Sequence, residues 1–314
     1  MNIVRTHSFS LLLGTLASVF LSTPNSLQAA DDEALGQIDK SGLLERISTL
    51  ASDEFGGRAP MSEGERLTLN YLEQQFKEMG LKPMFGDSYR QPVPLVSIET
   101  DPSTALNISD MEGNVQSYAY GTEVILGSPQ VLEENGINRS ELIWVGYGIV
   151  APEYDWNDYA GLDVKGKTVV ILVNDPGYAT QNPELFNGNS MTYYGRWTYK
   201  FEEAARQGAA GALIIHQTEP AAYGWNVVED SWSGPQFHLA TENNNMDQLK
   251  VQGWLQYETG RDMFDLAGLD LDEMIAEASK AAVKPYSLGI SASTNLSNTI
   301  KRAESFNVGA ILPG

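Results

Sequence analysis

The sequence predicts an α/β protein, and three observations support that class. Four apolar residues recur at steps of three, four and three, as on one face of a helix: Leu69, Leu72, Phe76 and Met79. Three short apolar runs have the length and composition of buried strands: 141–147, 168–173 and 213–216. Pro92 and Pro94 restrict the segment 91–98 to an edge or irregular strand.

Two helices are expected at the front of the chain. Apolar residues at helical spacing predict the first helix between Leu43 and Ala51. For the second, Ser62 and Glu65 match a capping box, in which Ser62 caps the helix and Glu65 reaches back. Gly80 is the expected stop.

The remaining pattern predicts strands with a few short helices. The stretch 105–265 mixes β-structure with a little helix, including a short helix at 202–207. A further helix is expected at 271–282, and the tail is expected to form two adjacent strands, 288–296 and 299–312.

Residues 1–30 have the features of a cleavable secretory signal. Arg5 precedes an apolar run of thirteen residues from Phe9 to Leu21, and Ala29-Ala30 offers a small-residue cleavage site. A membrane-spanning helix needs about 20 apolar residues, so no membrane anchor is expected after cleavage. The predicted location is the bacterial periplasm or the exterior. The chain has no cysteine, which excludes disulfides although that compartment permits them.

The charge balance narrows the range of partners. The sequence holds 41 acidic and 20 basic residues, with a formal net charge of −21. Nucleic acids and anionic membranes require a basic face, so neither is an expected partner. Peptides or proteins remain as candidate partners.

No catalytic constellation is evident from the residue types. Of the three histidines, His7 lies in the signal, and His216 and His238 stand alone, without the spacing of metal ligands. Lone histidines of this kind are expected to form structural hydrogen bonds. The sequence has no cysteine nucleophile and no Gly-x-Ser-x-Gly or phosphate-loop motif. Close carboxylate pairs such as Asp53-Glu54 are expected by chance among so many acids.

Two segments are rich in aromatic residues and glycine, 151–161 and 191–200. Aromatic clusters that include an arginine can form recognition surfaces, but they can equally pack loops together, and packing is the favoured interpretation. The candidate binding residues are Tyr194, Arg196 and Trp197.

Several segments together resemble one family. They are 50–60, 63–65, 71–83, 145–150, 158–167, 191–200, 208–212, 223–226 and 233–236. In these the chain resembles bacterial secreted members of metallopeptidase family 28, which are zinc aminopeptidases with a protease-associated (PA) insert domain. The resemblance implies an α/β/α peptidase domain with a mostly β PA domain inserted near its front. It also implies two zinc ions, a bridging carboxylate, a glutamate general base, and removal of amino acids from peptide amino termini.

The resemblance also predicts what the chain lacks. The family's first zinc-ligand motif, His-x-Asp, is expected just beyond the point that matches Leu312 to Gly314, so no catalytic or metal-binding residue is assigned. The expected organisation is a signal (1–30), the front of the peptidase domain (31–104), the PA domain (105–265) and a returning helix and strands (266–314). The chain is thus expected to be an inactive amino-terminal portion of the peptidase that binds no zinc. A separate chain that carries the catalytic half is a further candidate partner. The alternative is a non-catalytic PA module that binds peptides or proteins.

Overall fold

The computed structural model describes residues 39–314, and the predicted signal lies outside them. The α/β class is confirmed. The eight described α-helices are α1 Lys40–Leu50, α2 Glu63–Glu78, α3 Pro176–Thr180, α4 Trp197–Arg206, α5 Thr218–Ala221, α6 Trp225–Trp232, α7 Tyr257–Leu266 and α8 Leu271–Ala278. The described strands are β1 Lys82–Pro83, β2 Arg90–Thr100, β3 Ala105–Ser109, β4 Val115–Ala119, β5 Val124–Gly127, β6 Glu134–Trp144, β7 Val150–Ala151, β8 Trp156–Asn157, β9 Thr168–Leu172, β10 Gly211–Ile215, β11 Gln236–Leu239, β12 Val251–Leu255, β13 Tyr286–Val308 and β14 Ala310–Ile311.

The chain divides into two compact units between Leu72 and Glu73. In the first unit, the predicted capping box forms only in part. Ser62 Oγ accepts from the backbone N–H of Glu65 (3.2 Å), as predicted. The Glu65 carboxylate reaches back one residue further than predicted and accepts from the N–H of Met61 at 2.6 Å. The α2 start is therefore held from both sides.

The second unit is built on a ten-stranded mixed sheet. Its main path runs β11-β2-β13-β6-β9-β10-β12-β5, and β3 and β4 extend it from β13. The four strands β6, β9, β10 and β12 pair in parallel, and the other pairs in this sheet are antiparallel. Helices connect β9 to β10 and β10 to β12, so the range 105–265 holds more helix than the sequence suggests.

Both faces of the central strands are buried. On β9, Val170 and Leu172 belong to one core cluster, and Val169 and Ile171 belong to another. Because successive side chains of a strand point to opposite faces, the two clusters lie on opposite sides of the sheet. Burial on both sides explains why these strands appear in the sequence as continuous apolar runs.

The expectation of two adjacent strands in the tail is wrong. Tyr286–Val308 forms a single strand of 23 residues, which pairs with β2, β3 and β6. The expected break at Ser297-Asn298 does not occur because Asn298 stays in the ladder opposite Thr100. Its side-chain oxygen accepts from Thr100 Oγ1 at 2.8 Å, and its amide donates to the Leu132 carbonyl at 2.9 Å.

Candidate functional site

The structure brings the two aromatic segments, 151–161 and 191–200, together in the second unit. Tyr194 Oη donates to Glu153 Oε1 at 2.6 Å. Tyr199 Oη, on the first turn of α4, lies 3.0 Å from the backbone nitrogen of Val150 and 3.2 Å from its oxygen. The hydroxyl thus accepts from one backbone group and donates to the other, so it joins α4 to the residue that precedes the segment 151–161.

A ring from a third segment lies at the centre of this cluster. Phe186 is fully buried, and its ring centroid lies 4.3 Å from that of Tyr154 in a stacked arrangement. The rings of Trp156 and Tyr194 each approach Phe186 edge-on at 5.6 Å. Offset and edge-to-face contacts of this kind stabilise packed aromatic groups. Most of the aromatic side chains of the two segments therefore pack. The place of Phe186 in this cluster could not be predicted, because Phe186 lies in a loop without a recognisable sequence pattern.

The three predicted binding residues lie side by side, in different environments. Tyr194 is half-buried, and its hydrogen bond to Glu153 raises its pKa to about 12. Arg196 is exposed, and within residues 39–314 its guanidinium has no hydrogen bond or ion pair. Trp197 is 36% exposed and packs edge-on against Trp232 at 5.0 Å. Of these three residues, Arg196 and Trp197 have side chains that solvent or a partner could contact.

A small cleft lies beside these residues. It has a volume of about 60 Å³, and its lining includes Met191, Arg196, Trp197 and Tyr223. Pockets for small molecules usually measure roughly 300–1,000 Å³. The cleft therefore has room for ordered water or the tip of one side chain.

The aromatic segment 191–200 ends in a buried lysine, for which the sequence offers no signal. Lys200 on α4 is fully buried, and its Nζ donates to the backbone oxygen of Tyr147 at 2.5 Å. Burial lowers its pKa from an ordinary 10.5 to about 7, although the acidic groups of Asp158 and Asp175 act in the opposite direction. The ammonium is enclosed, so its role is structural.

The turn that presents the Tyr147 carbonyl depends on two glycines. Gly146 and Gly148 have φ of 52° and 60°, in the left-handed region. A Cβ on Gly148 would lie 3.1 Å from Ile171 Cγ2, which leaves little room for a side chain. The Gly-Tyr-Gly motif therefore predicts a tight turn here. It does not predict which side chain donates a hydrogen bond to the Tyr147 carbonyl.

Asp158 is the acidic member of the same buried region. Its two carboxylate oxygens accept from the backbone N–H groups of Ile149 and Val283, each at 3.0 Å. Burial raises its pKa from an ordinary 3.8 to about 6, against the lowering effect of these hydrogen bonds. Asp158 thus ties the segment after α8 to the turn that follows β6.

Neither of the two described histidines belongs to a group of side chains that could bind a metal ion. His216 is buried at the end of β10, and its Nε2 lies 3.0 Å from the Tyr223 oxygen. His238 lies in β11, and burial lowers the pKa of both imidazoles. Across residues 39–314, no group of three or more His, Asp or Glu side chains is placed to hold a metal ion. The donor set does not fit the two implied zinc ions, and no chemical step is assigned to them.

The comparisons with known proteins are sparse. No protein-family model matches the chain, and no curated protein matches it. One matching solved structure is the aminopeptidase from Aneurinibacillus sp. strain AM-1, at 19% identity and a TM-score of 0.38. The match covers 80% of this chain and 43% of the other, so the chain spans less than half the length of that aminopeptidase. In the part of the chain that the structure describes, no helix has the length and apolarity to cross a membrane.

Proposed function

We propose that this chain is the amino-terminal portion of an exported zinc-dependent aminopeptidase of the family 28 type, located in the periplasm or outside the cell. In this proposal, residues 105–265 are the inserted PA domain, and the metal-binding half is a further segment or a separate chain. The segments that resemble the family support this proposal.

One structural observation carries the proposal furthest. Three of the family-like segments, 145–150, 158–167 and 191–200, converge on one buried site. There the Lys200 ammonium meets the Tyr147 carbonyl, and the Asp158 carboxylate binds the N–H of Ile149. Lys200 and Asp158 also interact electrostatically, so the two bonds belong to one buried polar region. A shared network supports the interpretation that the resemblance reflects one fold.

Under this proposal the chain supplies no catalytic group. Its three histidines have no metal-ligand spacing, so we expect no peptidase activity from the chain by itself. In this proposal, substrate chemistry belongs to the other half of the peptidase.

Two measurements test the proposal. The coding DNA beyond codon 314, read in all three frames, is expected to encode a His-x-Asp motif followed by further acids and histidines. The purified chain is expected to release no leucine from a chromogenic leucine amide, with or without added zinc. Zinc-dependent release would refute the expected inactivity. Unrelated downstream sequence, with no partner gene for the other half, would contradict the peptidase assignment.

A second candidate is a non-catalytic module that binds peptides or proteins. The exposed Arg196 and Trp197 favour it because arginine and tryptophan are frequent binding anchors. Isotope-resolved titration with peptide mixtures should then produce saturable shifts in the loops 151–161 and 191–200. The variant Arg196→Ala should weaken these shifts, and the matched variant Arg139→Ala, another exposed arginine, should not. Titrations without saturable shifts in either loop would exclude this function.

A further inference from the structure

The dipeptide Asn-Gly occurs twice in the sequence, at 135–136 and at 187–188. Glycine has no Cβ, so its backbone nitrogen can approach the side chain of the preceding asparagine closely. That nitrogen can attack the side-chain amide carbon, and the asparagine then loses ammonia. The two dipeptides are chemically identical, so a large difference in their reactivity must come from the structure around each one.

The first dipeptide is held in the large sheet. Asn135 and Gly136 both lie in β6 and pair with β13. The Asn135 Nδ2 donates to Ser128 Oγ at 2.9 Å and to Gln130 Oε1 at 3.0 Å, and its Oδ1 accepts from the Gly136 N–H at 2.8 Å. Ring closure at this site would break these hydrogen bonds and disturb the ladder. The fold therefore protects Asn135.

The second dipeptide lies in the loop between α3 and α4. Asn187 is exposed, and its side chain forms no hydrogen bond with any residue between 39 and 314. Asn187 and Gly188 both have φ in the left-handed region, at 58° and 62°. The attacking nitrogen is fixed by a turn, in which the Gly188 N–H donates to the Leu185 oxygen at 3.0 Å. A small local opening of this turn frees the nitrogen, whereas the first dipeptide requires the sheet to open.

We propose that Asn187 is a site of spontaneous deamidation. A bond forms between the Gly188 nitrogen and the Asn187 Cγ, the bond from Cγ to Nδ2 breaks, and ammonia leaves with the proton of the Gly188 N–H. The product is a cyclic succinimide. Water then opens the ring at one of its two carbonyls and leaves either aspartate or isoaspartate. Water is the only co-reactant, so the inference depends neither on zinc nor on peptidase activity.

The isoaspartyl product changes the main chain beside the centre of the aromatic cluster. Phe186 directly precedes Asn187, is fully buried and stacks on Tyr154 at 4.3 Å. In isoaspartate the main chain runs through the former side chain and is one carbon longer. Because protein interiors are closely packed, such a change next to a buried ring disturbs its contacts. Deamidation therefore weakens the packing of Phe186 against Tyr154, Trp156 and Tyr194.

The test of the site is peptide mapping by mass spectrometry after incubation of the purified chain at mildly alkaline pH. In the folded protein, deamidation at Asn187 should exceed that at Asn135 by at least about tenfold, because opening of the sheet is much rarer than opening of a turn. In urea the two sites should react at similar rates, since the structural difference is then lost. An Asn187 that reacts no faster than Asn135 in the folded protein would overturn the proposal.

Two variants identify the reacting residue. Asn187→Gln lengthens the side chain by one carbon, which slows ring closure, and should remove the isoaspartate that a methyltransferase assay detects. The matched variant Asn189→Gln changes another exposed asparagine of the same loop, which precedes a serine, and should leave the isoaspartate yield unchanged. The opposite pattern would place the reaction at Asn189 and contradict the proposal.

The effect on the aromatic cluster has its own test. Asn187→Asp introduces the new charge without the extra carbon, so it is the matched control for the isoaspartyl protein, which ion-exchange chromatography separates. The isoaspartyl fraction should have a weaker near-ultraviolet circular dichroism spectrum and a lower urea midpoint than freshly prepared Asn187→Asp. Identical spectra and midpoints would show that the modification does not reach Phe186, and would overturn this part of the inference.

Discussion

The ammonium of Lys200 lies 2.5 Å from the carbonyl oxygen of Tyr147, inside the protein, where water does not reach it. The two residues are 53 positions apart in the sequence. The contact joins the first turn of α4 to the turn after β6. It therefore holds together two parts of the chain that flank the aromatic cluster. It also places a titratable group where protonation carries an energetic cost.

The first prediction concerns pH and Lys200. Its pKa is lowered from 10.5 to about 7 on folding, so between these values the unfolded chain binds more protons than the folded chain. The free energy of unfolding should therefore rise with pH in this window, by up to about 1.4 kcal/mol per pH unit from this group. Urea unfolding of the protein and of Lys200→Met, between pH 7 and 9.5, measures the contribution. The variant should lack this rise.

The control for that comparison is Lys250→Met, which changes an exposed lysine in the same unit. It should keep the rise of the unmodified protein. Equal slopes for Lys200→Met and the unmodified protein would mean that the lysine is charged and solvated in the folded state.

The second prediction concerns Tyr199, whose hydroxyl bridges both backbone groups of Val150. Tyr199→Phe leaves the Val150 N–H without its acceptor, which should lower the free energy of unfolding by about 1–3 kcal/mol. Tyr194→Phe is the matched variant because its hydroxyl bonds to the exposed Glu153. Chemical denaturation should show the larger loss for Tyr199→Phe, and the reverse order would contradict the assigned bridge.

The third prediction contrasts two helical glycines of the first unit. A Cβ on Gly64 in α2 would lie 1.9 Å from the backbone oxygen of Phe55, so the backbone itself must move. Gly64→Ala should cost on the order of 1–3 kcal/mol, as overpacking does. A Cβ on Gly42 in α1 would meet mainly the flexible end of Arg46, at 3.0 Å. Gly42→Ala should be neutral or stabilise by up to about 1 kcal/mol.

Thermal unfolding followed by circular dichroism at 222 nm distinguishes the two substitutions. If both variants gain stability, helix propensity alone governs these positions and the close approach of α2 to Phe55 is absent.

The fourth prediction concerns Asn298, in the middle of β13. Asn298→Ala leaves the buried Thr100 Oγ1 without its partner and removes the part-buried bond to the Leu132 carbonyl, and should cost about 1–3 kcal/mol. Asn295 is exposed on the same strand, and its side-chain amide donates to Glu134 Oε2 at the surface, so Asn295→Ala should have a small effect. Urea denaturation compares them, and similar losses would show that the buried network contributes little.

Much of the local structure could be predicted from the sequence because its signals are local. The apolar stripe and Ser62 correctly predict α2, and the apolar runs predict β9 and β10. The single strand at 286–308 could not be predicted from the sequence. Asparagine is common in turns, and only the partners of Asn298 across the sheet show that it lies within a strand. Those partners lie more than 150 positions away, beyond the range of pattern analysis.

The candidate site shows the same limit. The sequence identifies its aromatic residues and Arg196 as candidates. Which aromatic side chains are buried depends on contacts with Phe186, which belongs to another loop. Lys200 looks like any helical lysine in the sequence, and only the tertiary fold buries it. The α/β class is confirmed, whereas the binding role of Tyr194, Arg196 and Trp197 stays a prediction.

The long strand β13 has a consequence for how the protein reaches its native state. Thr100 in β2 bonds to Asn298, 198 residues later, and β6 also pairs with β13. During synthesis, β2 and β6 both appear long before the strand that lies between them. Closing contacts over such separations is slow, and the waiting strand edges can pair with other molecules. A strand made long after its two neighbours thus completes the interior of the sheet. We therefore expect folding to be cooperative and sensitive to the loss of β13.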